Sequence, residues 1–218
     1  MSDWRVWQIV DSAFPTGAFA HSVGLEAAWQ QGEVEDVAAL RRFLDASICQ
    51  AGRSVLPFVT ATHTDPSRLE PLDALAEAFL INPVANRASR VQGRALAATV
   101  ARVWPLPETR NLRARADATH AHLAPLSGVV FAALGLSLVA AQRATLYGLT
   151  RGLLGAAVRL GLVGSYEAQR LQAACGERLD ETIDRCGSLG VDGLAHTAPI
   201  LDVLHAGHDR LYSRLFQS

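Results

Sequence analysis

The stretch LVAAQRATLYGLTRGLLGAAVRL, residues 138–160, decides the fold class. Its apolar residues cover most sides of a helix instead of one narrow stripe, which is typical of a helix at the centre of a helical protein. Half of the 218 residues are hydrophobic, so the chain has enough apolar side chains to surround such a helix with a sizeable core. We therefore predict a central helix over residues 138–160.

The segments before this helix also show helical spacing. Residues 37–55 place their apolar side chains on one face, with Asp36 as the N-cap and Pro57 as a stop or kink. That face consists of Val37, Leu40, Phe43, Leu44, Ile48 and Val55. Further helices are predicted over residues 72–81, 84–103 and 127–134. The clearest interruption is the Pro-rich turn at residues 104–107, because proline cannot continue a helix.

The remaining segments complete the bundle. Ser165 is predicted to cap one helix that runs to about Cys186, and Pro199 begins another short helix. Residues 108–122 are polar enough for a solvated helix or an ordered loop. No strand pattern, internal repeat or low-complexity linker stands out. The sequence predicts an all-α, single-domain bundle of roughly eight to ten helices over residues 1–218.

Charge and cysteine content exclude several classes of protein. The net charge is −1 and all 20 basic residues are Arg, which gives no sign of a nucleic-acid partner. Arg does offer forked, bidentate contacts to a protein partner. The cysteines, Cys49, Cys175 and Cys186, are odd in number and far apart. This spacing argues against both a disulfide framework and a zinc ribbon.

The most apolar stretch, residues 123–141, is too interrupted to span a membrane. Pro125, Gly128 and Gly135 punctuate it, so two short buried helices are favoured. The first residues lack the basic-then-apolar layout of a signal peptide. We expect a cytoplasmic protein without a membrane partner.

Two pairs of histidines are the candidate metal ligands. His120 and His122 form an HxH pair, whereas His205 and His208 stand three apart and would share one face of a helix. Neither pair has a third ligand nearby in sequence, and ordinary surface or capping histidines would show the same pattern. His205 and His208 are therefore weak metal-site candidates. Transient metal contact stays open because imidazole suits nickel.

Catalytic motifs are missing from the sequence. There is no GxxxxGK[ST] loop and no Lys to occupy one, which rules out a P-loop hydrolase. Neither a GxSxG elbow nor an HExxH helix is present. The carboxylates look scattered or paired with Arg, so no acid–base pair with raised pKa values is indicated. Gly152 and Gly155 lie within the central helix, where small residues favour close helix packing. We expect a protein that is not an enzyme.

Two segments are unusual for a plain helical core. In residues 11–26, Pro15 and Gly17 force a turn that is followed by aromatic and polar side chains. Residues 208–218 keep aromatic, apolar and Arg side chains almost to the last residue, whereas chain ends usually become polar. Aromatic and Arg side chains are favoured anchors of protein interfaces. Each segment also has an explanation without a partner. The first would be a turn whose aromatic side chains cover the bundle end, and the second would be a tail that packs on its own domain.

Both segments carry a family resemblance. Residues 7–26, WQIVDSAFPTGAFAHSVGLE, closely resemble the N-terminal signature of the urease accessory protein UreF family. Residues 212–218, YSRLFQS, preceded by His208-Asp209, are similar to the C-terminal signature of that family. The internal segments that are also similar, in the family order, are residues 86–96, 122–128, 134–136, 156–161 and 169–171. The resemblance covers nearly the whole chain.

The resemblance implies a fold, a function and a set of partners. It implies an all-α homodimer that binds the accessory protein UreD (also called UreH) and the nickel-carrying GTPase UreG. That assembly docks on apo-urease and couples GTP hydrolysis to nickel insertion. The UreF member is a non-catalytic adaptor that regulates the GTPase. It binds no cofactor stably, and nickel is the cargo of the complex.

The resemblance also implies which residues bind the partners. It divides the chain into a short N-terminal segment, residues 1–17, and a partner-binding tail, residues 207–218, which becomes ordered when UreD binds. Arg214 is implied to help recruit UreG, and Phe19 to belong to the same surface. The implied partner-binding residues are Phe19, His21, Ser22, Glu26, His208, Tyr212, Arg214, Leu215 and Phe216.

The chain departs from the family pattern at four positions. Phe19 stands where some members have Tyr, which removes a hydroxyl. Ala18 replaces a frequent Gly and narrows the allowed backbone. Asp209 replaces a common Glu, and Gln217 a common Arg. The last change removes a cation, so we expect weaker tail docking than in relatives.

Two other classes of function remain open on the residues alone. A helical enzyme with a metal site would need His120, His122, His205 or His208 to converge with a carboxylate. A general helical interaction module unrelated to urease would show no nickel-linked phenotype.

Overall fold

A computed structural model of the chain describes residues 4–218. Residues 1–3, where the predicted domain and its N-terminal segment begin, lie outside these. The α-helices are α1 (Trp4–Ile9), α2 (Leu25–Gln30), α3 (Val37–Ser54), α4 (Leu56–Thr64), α5 (Leu69–Phe79), α6 (Pro83–Val103), α7 (Leu112–Asp117), α8 (Leu123–Ala133), α9 (Leu138–Arg159), α10 (Ser165–Ala174), α11 (Gly176–Cys186) and α12 (Pro199–Ala206). Nine of these have eight or more residues, and residues 4–218 contain no strand. The predicted all-α bundle is confirmed.

Local signals account for several helix starts. The Asp36 side chain accepts a hydrogen bond from the Ala39 amide, as predicted for the N-cap of α3. Asn82 accepts from two amides at the start of α6, and Ser137 accepts from the Ala140 amide at the start of α9. Each cap satisfies amides that the first turn of a helix leaves without a partner.

The core consists of two main apolar clusters that share α9. The first gathers α4, α6 and α8, and includes Leu96, Val130 and the α9 residue Ala141. The second gathers α2, α3 and α10, and includes Leu40 and the α9 residue Leu153. Because α9 contributes to both clusters, it is the central helix that its composition predicts.

The single helix predicted from Ser165 to Cys186 is wrong. Gly164, without a side-chain bond, is the N-cap of α10, and the helix breaks between Ala174 and Gly176. Gly has low helix propensity, so a break costs little there. The break lets Leu171 of α10 pack within the second cluster, whereas in α11 Leu179 packs against both that cluster and a smaller one around Leu146, which Ile183 also contacts.

Glycines bring helices together at positions other than the predicted ones. A Cβ atom added at Gly152 or Gly155 would meet no atom within 4 Å, so the prediction of close packing there is wrong within this chain. At Gly93 an added Cβ would lie 2.0 Å from the Ala121 carbonyl oxygen, and at Gly128 it would lie 2.1 Å from Thr62 Oγ1. These two positions require glycine because the neighbouring backbone and side chain leave no room.

The apolar run over residues 123–141 is divided by a turn. It forms α8 and the start of α9, with Gly135 between them at a φ of 75°. No helix in residues 4–218 is long and apolar enough to cross a membrane.

Candidate functional site

The two unusual segments meet at one corner of the bundle. We call residues 18–26 and 207–218 the terminal junction. On its N-terminal side, Ala18–Ala20 form a 3-10 turn, and Val23 and Gly24 both have positive φ angles before α2 begins. A Cβ atom at Gly24 would lie 2.9 Å from His205 Cβ. Glycine at this position therefore lets α2 start directly against α12.

Glu26 is the centre of the terminal junction. Its carboxylate is buried and accepts hydrogen bonds from the Leu215 amide at 2.6 Å and the Phe216 amide at 3.1 Å. His208 Nε2 lies 3.1 Å from the same carboxylate and donates to it, since an ionised carboxylate can only accept. A buried carboxylate is costly unless several donors satisfy it. Glu26 therefore holds the tail in place.

The last two residues of the tail add backbone and side-chain pairing. The Gln217 amide donates to the Ala20 carbonyl oxygen at 2.8 Å. The main-chain oxygen of Ser218 accepts from the Ser22 amide at 2.6 Å and from Ser22 Oγ at 2.9 Å. His21 Nδ1 and Ser218 Oγ are 2.6 Å apart. The tail thus packs on its own domain, which is one of the two arrangements that the sequence left open.

An Arg–aromatic group covers the outside of this pairing. The Arg159 guanidinium carbon lies 3.9 Å from the Phe19 ring centroid and 4.2 Å from the Phe216 ring centroid. Arg159 also donates to the Phe19 carbonyl oxygen at 2.5 Å. Such contacts add cation–π attraction to the apolar burial of Phe216. Arg159 therefore joins α9 to both halves of the terminal junction.

Asp209 forms the charged edge of the terminal junction. Its carboxylate accepts from Arg87 at 2.7 and 2.9 Å, and Arg214 Nη1 lies 3.8 Å away. The hydrogen bond from Arg87 is the main reason that the pKa of Asp209 is below its usual value. The Asp found here in place of the family's Glu thus makes an ion pair with α6. Exposed pairs of this kind contribute only about 0–1 kcal/mol.

Three buried histidines, His21 and His208 of the terminal junction and His205 beside it, lie close together. Burial is the main reason that the pKa of His205 is lowered to about 4, with the neighbouring His208 and His21 as further causes. Burial also lowers the pKa of His21, with the charge of His208 as the second cause. His205 Nε2 and His208 Nδ1 have no hydrogen-bond partner among the described residues.

The weak metal candidates His205 and His208 gain no support from this arrangement. As the side chains stand, residues 4–218 contain no group of three His, Cys, Asp or Glu placed to hold an ion. His208 already donates to Glu26.

A mostly apolar cavity of about 360 Å³ lies beside the terminal junction. His21 and His205 line it, together with core residues such as Phe58. Among residues 4–218 its one carboxylate is Asp202, which lies 2.9 Å from His196 Nδ1. Acid–base catalysis commonly uses a pair of groups with separated pKa values. The lining of this cavity is more typical of binding.

The structure brings the nine predicted partner-binding residues together and sorts them into two groups. Exposed or half-exposed side chains belong to Phe19, Tyr212, Arg214 and Leu215. Buried side chains belong to His21, Ser22, Glu26, His208 and Phe216. The first group forms an outer surface and the second supports it. That these residues bind partners stays a prediction.

Some residues of the terminal junction were missed by sequence reasoning. Arg159 and Arg87 lie far from the signatures in sequence, and Gln30 donates to the Ser213 carbonyl oxygen at 2.9 Å. Arg87 and Arg159 lie within internal segments of the resemblance, but no local pattern shows what they contact, because Asp209 is 122 positions from Arg87 and Phe19 is 140 positions from Arg159. The view that carboxylates are scattered or paired with Arg is wrong for Glu26 and Asp73, which are both buried.

The HxH pair lies in a second polar group, outside the terminal junction, and His122 lines the same cavity as His21 and His205. His122 Nε2 is 2.8 Å from Glu77 Oε2, and His120 Nδ1 is 3.8 Å from the same oxygen. Both oxygens of the buried Asp73 accept hydrogen bonds from the main chain of this pair, at 2.7 Å each. His120 and His122 thus lie near one carboxylate, as the alternative of a helical metal enzyme would need, but residues 4–218 contain no group of three such side chains placed to hold an ion.

Comparisons with known proteins identify the family. The UreF family model matches residues 34–176. The chain is 35% identical over 219 residues to urease accessory protein F of Oryza sativa subsp. indica, which covers 98% of this chain and 84% of the relative. It is 34% identical to urease accessory protein F of Arabidopsis thaliana, and this alignment covers 99% of this chain and 92% of the relative. It is 31% identical to urease accessory protein UreF of Arthrobacter sp. (strain FB24), and this alignment covers 97% of this chain and 95% of the relative. The chain therefore belongs to the UreF family.

Proposed function

We propose that this chain is a non-catalytic adaptor in the maturation of urease. It joins UreD (UreH) and the GTPase UreG in a complex that docks on apo-urease, and it regulates GTP hydrolysis during nickel insertion. It acts in the cytoplasm as a homodimer, without a nucleic-acid or membrane partner and without a stably bound cofactor. The relatives at 31–35% identity support an accessory role, because their names describe accessory proteins of urease.

This proposal rests on the division of the terminal junction into exposed side chains and the buried side chains that support them. Tyr212 is fully exposed, and Phe19 and Leu215 are more than half exposed. Beneath them, Glu26 and the Ser22–Ser218 pairing hold the backbone in one conformation. Exposed aromatic and Arg side chains on a fixed support are typical of binding hot spots. The terminal junction is therefore suited to bind a protein.

The same arrangement suggests how one partner makes the next one bind. Arg214 lies next to Asp209, and the adjacent Leu215 amide is bonded to Glu26. A partner such as UreD that binds the tail would replace these contacts and so change where Arg214 points. UreG would then bind to a surface that UreD has completed. Because UreD would shift the tail into the arrangement that UreG binds, the second binding step becomes conditional on the first.

The first test is co-purification of this chain with its UreD and UreG counterparts, with and without guanine nucleotide. We expect Arg214→Ala to keep its fold and UreD binding but to recover at least about tenfold less UreG, since losing a charged hot-spot contact costs 2 kcal/mol or more. Arg210→Ala is the matched control, because Arg210 is an exposed Arg of the same tail. UreG recovery equal to that of the wild type would refute the role of Arg214.

A tail truncation tests the UreD contact separately. Deletion of residues 215–218 removes the two amides that donate to Glu26 and the Ser218 oxygen that accepts from Ser22. We expect this variant to lose UreD during co-purification while retaining its helical circular dichroism. If the wild-type chain binds neither UreD nor UreG, the adaptor role fails, and a general helical interaction module becomes the better explanation.

A further inference from the structure

We propose that the mostly apolar cavity beside the terminal junction binds a small carboxylic acid with an apolar body, such as a medium-chain fatty acid. The cavity has a volume of about 360 Å³. Pockets for small molecules commonly have a volume of this order, an apolar lining and a few polar groups that orient the ligand. The proposal is independent of the adaptor role, because it rests on groups of α9 and α12 that are not among the nine predicted partner-binding residues.

Two glycines of the central helix border the cavity. Gly148 and Gly152 lie one turn apart on α9, and both line the space. A Cβ atom added at either position would meet no atom within 4 Å. Glycine weakens a helix interior relative to residues with a side chain, so these positions do not serve the stability of α9. Their effect is that the cavity reaches the backbone of the central helix.

Polar side chains at other points of the lining are already bonded within the chain. His122 Nε2 lies 2.8 Å from Glu77 Oε2. Asp202 Oδ2, of the carboxylate in the lining, lies 2.9 Å from His196 Nδ1. A ligand would have to break these pairs to bind the same atoms. They are therefore not the groups that select it.

Two other polar groups of the lining lack such a partner. His205 Nε2 of α12 and Arg151 Nε of α9 are buried atoms without a hydrogen-bond partner among the described residues. The whole His205 side chain is enclosed, since only 8% of the residue is exposed. Buried polar atoms in folded proteins nearly always have a partner. These two atoms therefore indicate a ligand that supplies one.

The chemistry of these two groups favours an acid. Arg151 is a permanent cation, and a guanidinium group forms charge-assisted hydrogen bonds to a carboxylate. The pKa of His205, lowered to about 4 mainly by burial, keeps this ring neutral at pH 7. A neutral imidazole can carry its proton on Nε2 and donate it to an acceptor. A carboxylate accepts from both kinds of donor, and an apolar body suits the remainder of the lining.

The volume of the cavity limits the size of the acid. A cavity of about 150 Å³ holds benzene, which has about six non-hydrogen atoms. On the same scale, about 360 Å³ holds roughly 14 non-hydrogen atoms. Octanoate, with about ten, is therefore small enough, whereas a membrane lipid with two long chains is too large.

Isothermal titration calorimetry of the full chain with octanoate tests the proposal. We expect one octanoate per chain, with an affinity that falls at least about tenfold in Gly152→Leu, because the new side chain occupies the space. Gly155→Leu is the matched control. Gly155 has the same open surroundings on the same helix, but it is not among the residues that line the cavity.

A second probe, octan-1-ol, tests the choice of an acid. Its affinity for the wild type should be at least about tenfold lower than that of octanoate, since it lacks the charge that Arg151 binds. Arg151→Met keeps an apolar stem and removes the cation. This variant should bind octanoate at least about tenfold more weakly and octan-1-ol within about twofold of the wild type. Arg143→Met, at an exposed Arg of the same helix, is its control.

The Tm of each variant without ligand guards against a folding artefact. Gly152→Leu should unfold at a Tm no lower than that of the wild type, because leucine has a higher helix propensity than glycine. Absence of saturable octanoate binding by the wild type would overturn the proposal. So would octanoate binding that Gly152→Leu and Arg151→Met leave unchanged, because the acid would then be held elsewhere. Equal affinities of the wild type for octanoate and octan-1-ol would show that the cavity does not select an acid.

Discussion

Two buried carboxylates do the same task in two different settings. Asp73 accepts hydrogen bonds from the amides of His120 and His122, and Glu26 accepts from the amides of Leu215 and Phe216. Both fasten a segment without regular structure to the helical bundle. What differs is the segment that each one holds.

The Asp73 segment is enclosed by the core. Ala121 and His122 are fully buried, and the segment leads directly into α8, which contributes seven buried residues. Release of this turn would expose the contacts of α8 with α4 and α6. By contrast, Phe216 and Ser218 are the buried residues of the segment that follows Arg210. We therefore expect that segment to open while the bundle stays folded.

An anchoring carboxylate stabilises the whole protein only if the segment that it holds cannot be released without unfolding the rest of the bundle. A substitution that weakens the hold on a separately opening segment costs no more than the free energy of that opening. We therefore expect Asp73 to matter mainly for folding and Glu26 mainly for the position of the tail.

The largest effect is expected for Asp73→Asn. The Asn oxygen can accept from one of the two amides, but its NH₂ group faces the other, which leaves a buried donor without a partner. We expect the free energy of unfolding to fall by about 2–4 kcal/mol, measured by urea denaturation. Asp117→Asn is the control, because Asp117 is exposed and should change stability by less than about 0.5 kcal/mol. An Asp73 variant as stable as that control would contradict the comparison.

An intermediate effect on stability is expected from His205 as the pH falls. Its pKa of about 4 in the folded chain is below that of an unfolded histidine, so the unfolded chain binds more protons between about pH 4 and 6.5. Stability is therefore lost as the pH falls through this window. His205 packs against Gly24 at the start of α2, so its exposure requires α2 and α12 to separate, and tail opening alone does not relieve the cost.

Removal of His205 should therefore flatten the pH dependence. Between pH 7 and pH 5 the wild type should lose about 2 kcal/mol more than His205→Leu does. Urea denaturation at both pH values, with EDTA present, gives this difference directly. The partly exposed His120 supplies the control variant His120→Gln, which should lose as much as the wild type. If the wild type and His205→Leu lost the same free energy of unfolding, His205 would not be the cause of the pH dependence.

Sequence reasoning predicted the parts of the fold that local chemistry decides. The N-cap at Asp36 and the start of α6 after Asn82 follow from neighbouring residues. The break at Gly176 does not, because it depends on which cluster each half of the segment reaches. Asp73 gave no sign of its role, since its partners lie 47 and 49 residues away.

The candidate site was predicted by resemblance more than by chemistry. The signatures at residues 7–26 and 212–218 indicated which residues matter, but a signature does not distinguish contact from support. Glu26 and Tyr212 were both predicted to bind partners, yet one is buried and the other fully exposed. Only the fold, which places α2 beneath the tail, separates the two roles.

The smallest effect on global stability is expected for Glu26→Gln. The glutamine oxygen can accept from only one of the Leu215 and Phe216 amides, which bond to different oxygens of Glu26, and the charge that His208 faces is lost. Because the tail can open separately, the free energy of unfolding should fall by only about 1 kcal/mol or less.

Hydrogen exchange should nevertheless reveal a large local effect of the same substitution. We expect the amides of residues 211–218 to exchange at least about tenfold faster than in the wild type, while those of α8 are unchanged. Glu33→Gln, at an exposed position after α2, is the matched control. If Glu26→Gln instead lowered the unfolding free energy as much as Asp73→Asn, the tail would be part of the cooperative core. The adaptor would then have no separately movable element with which to make UreG binding depend on UreD.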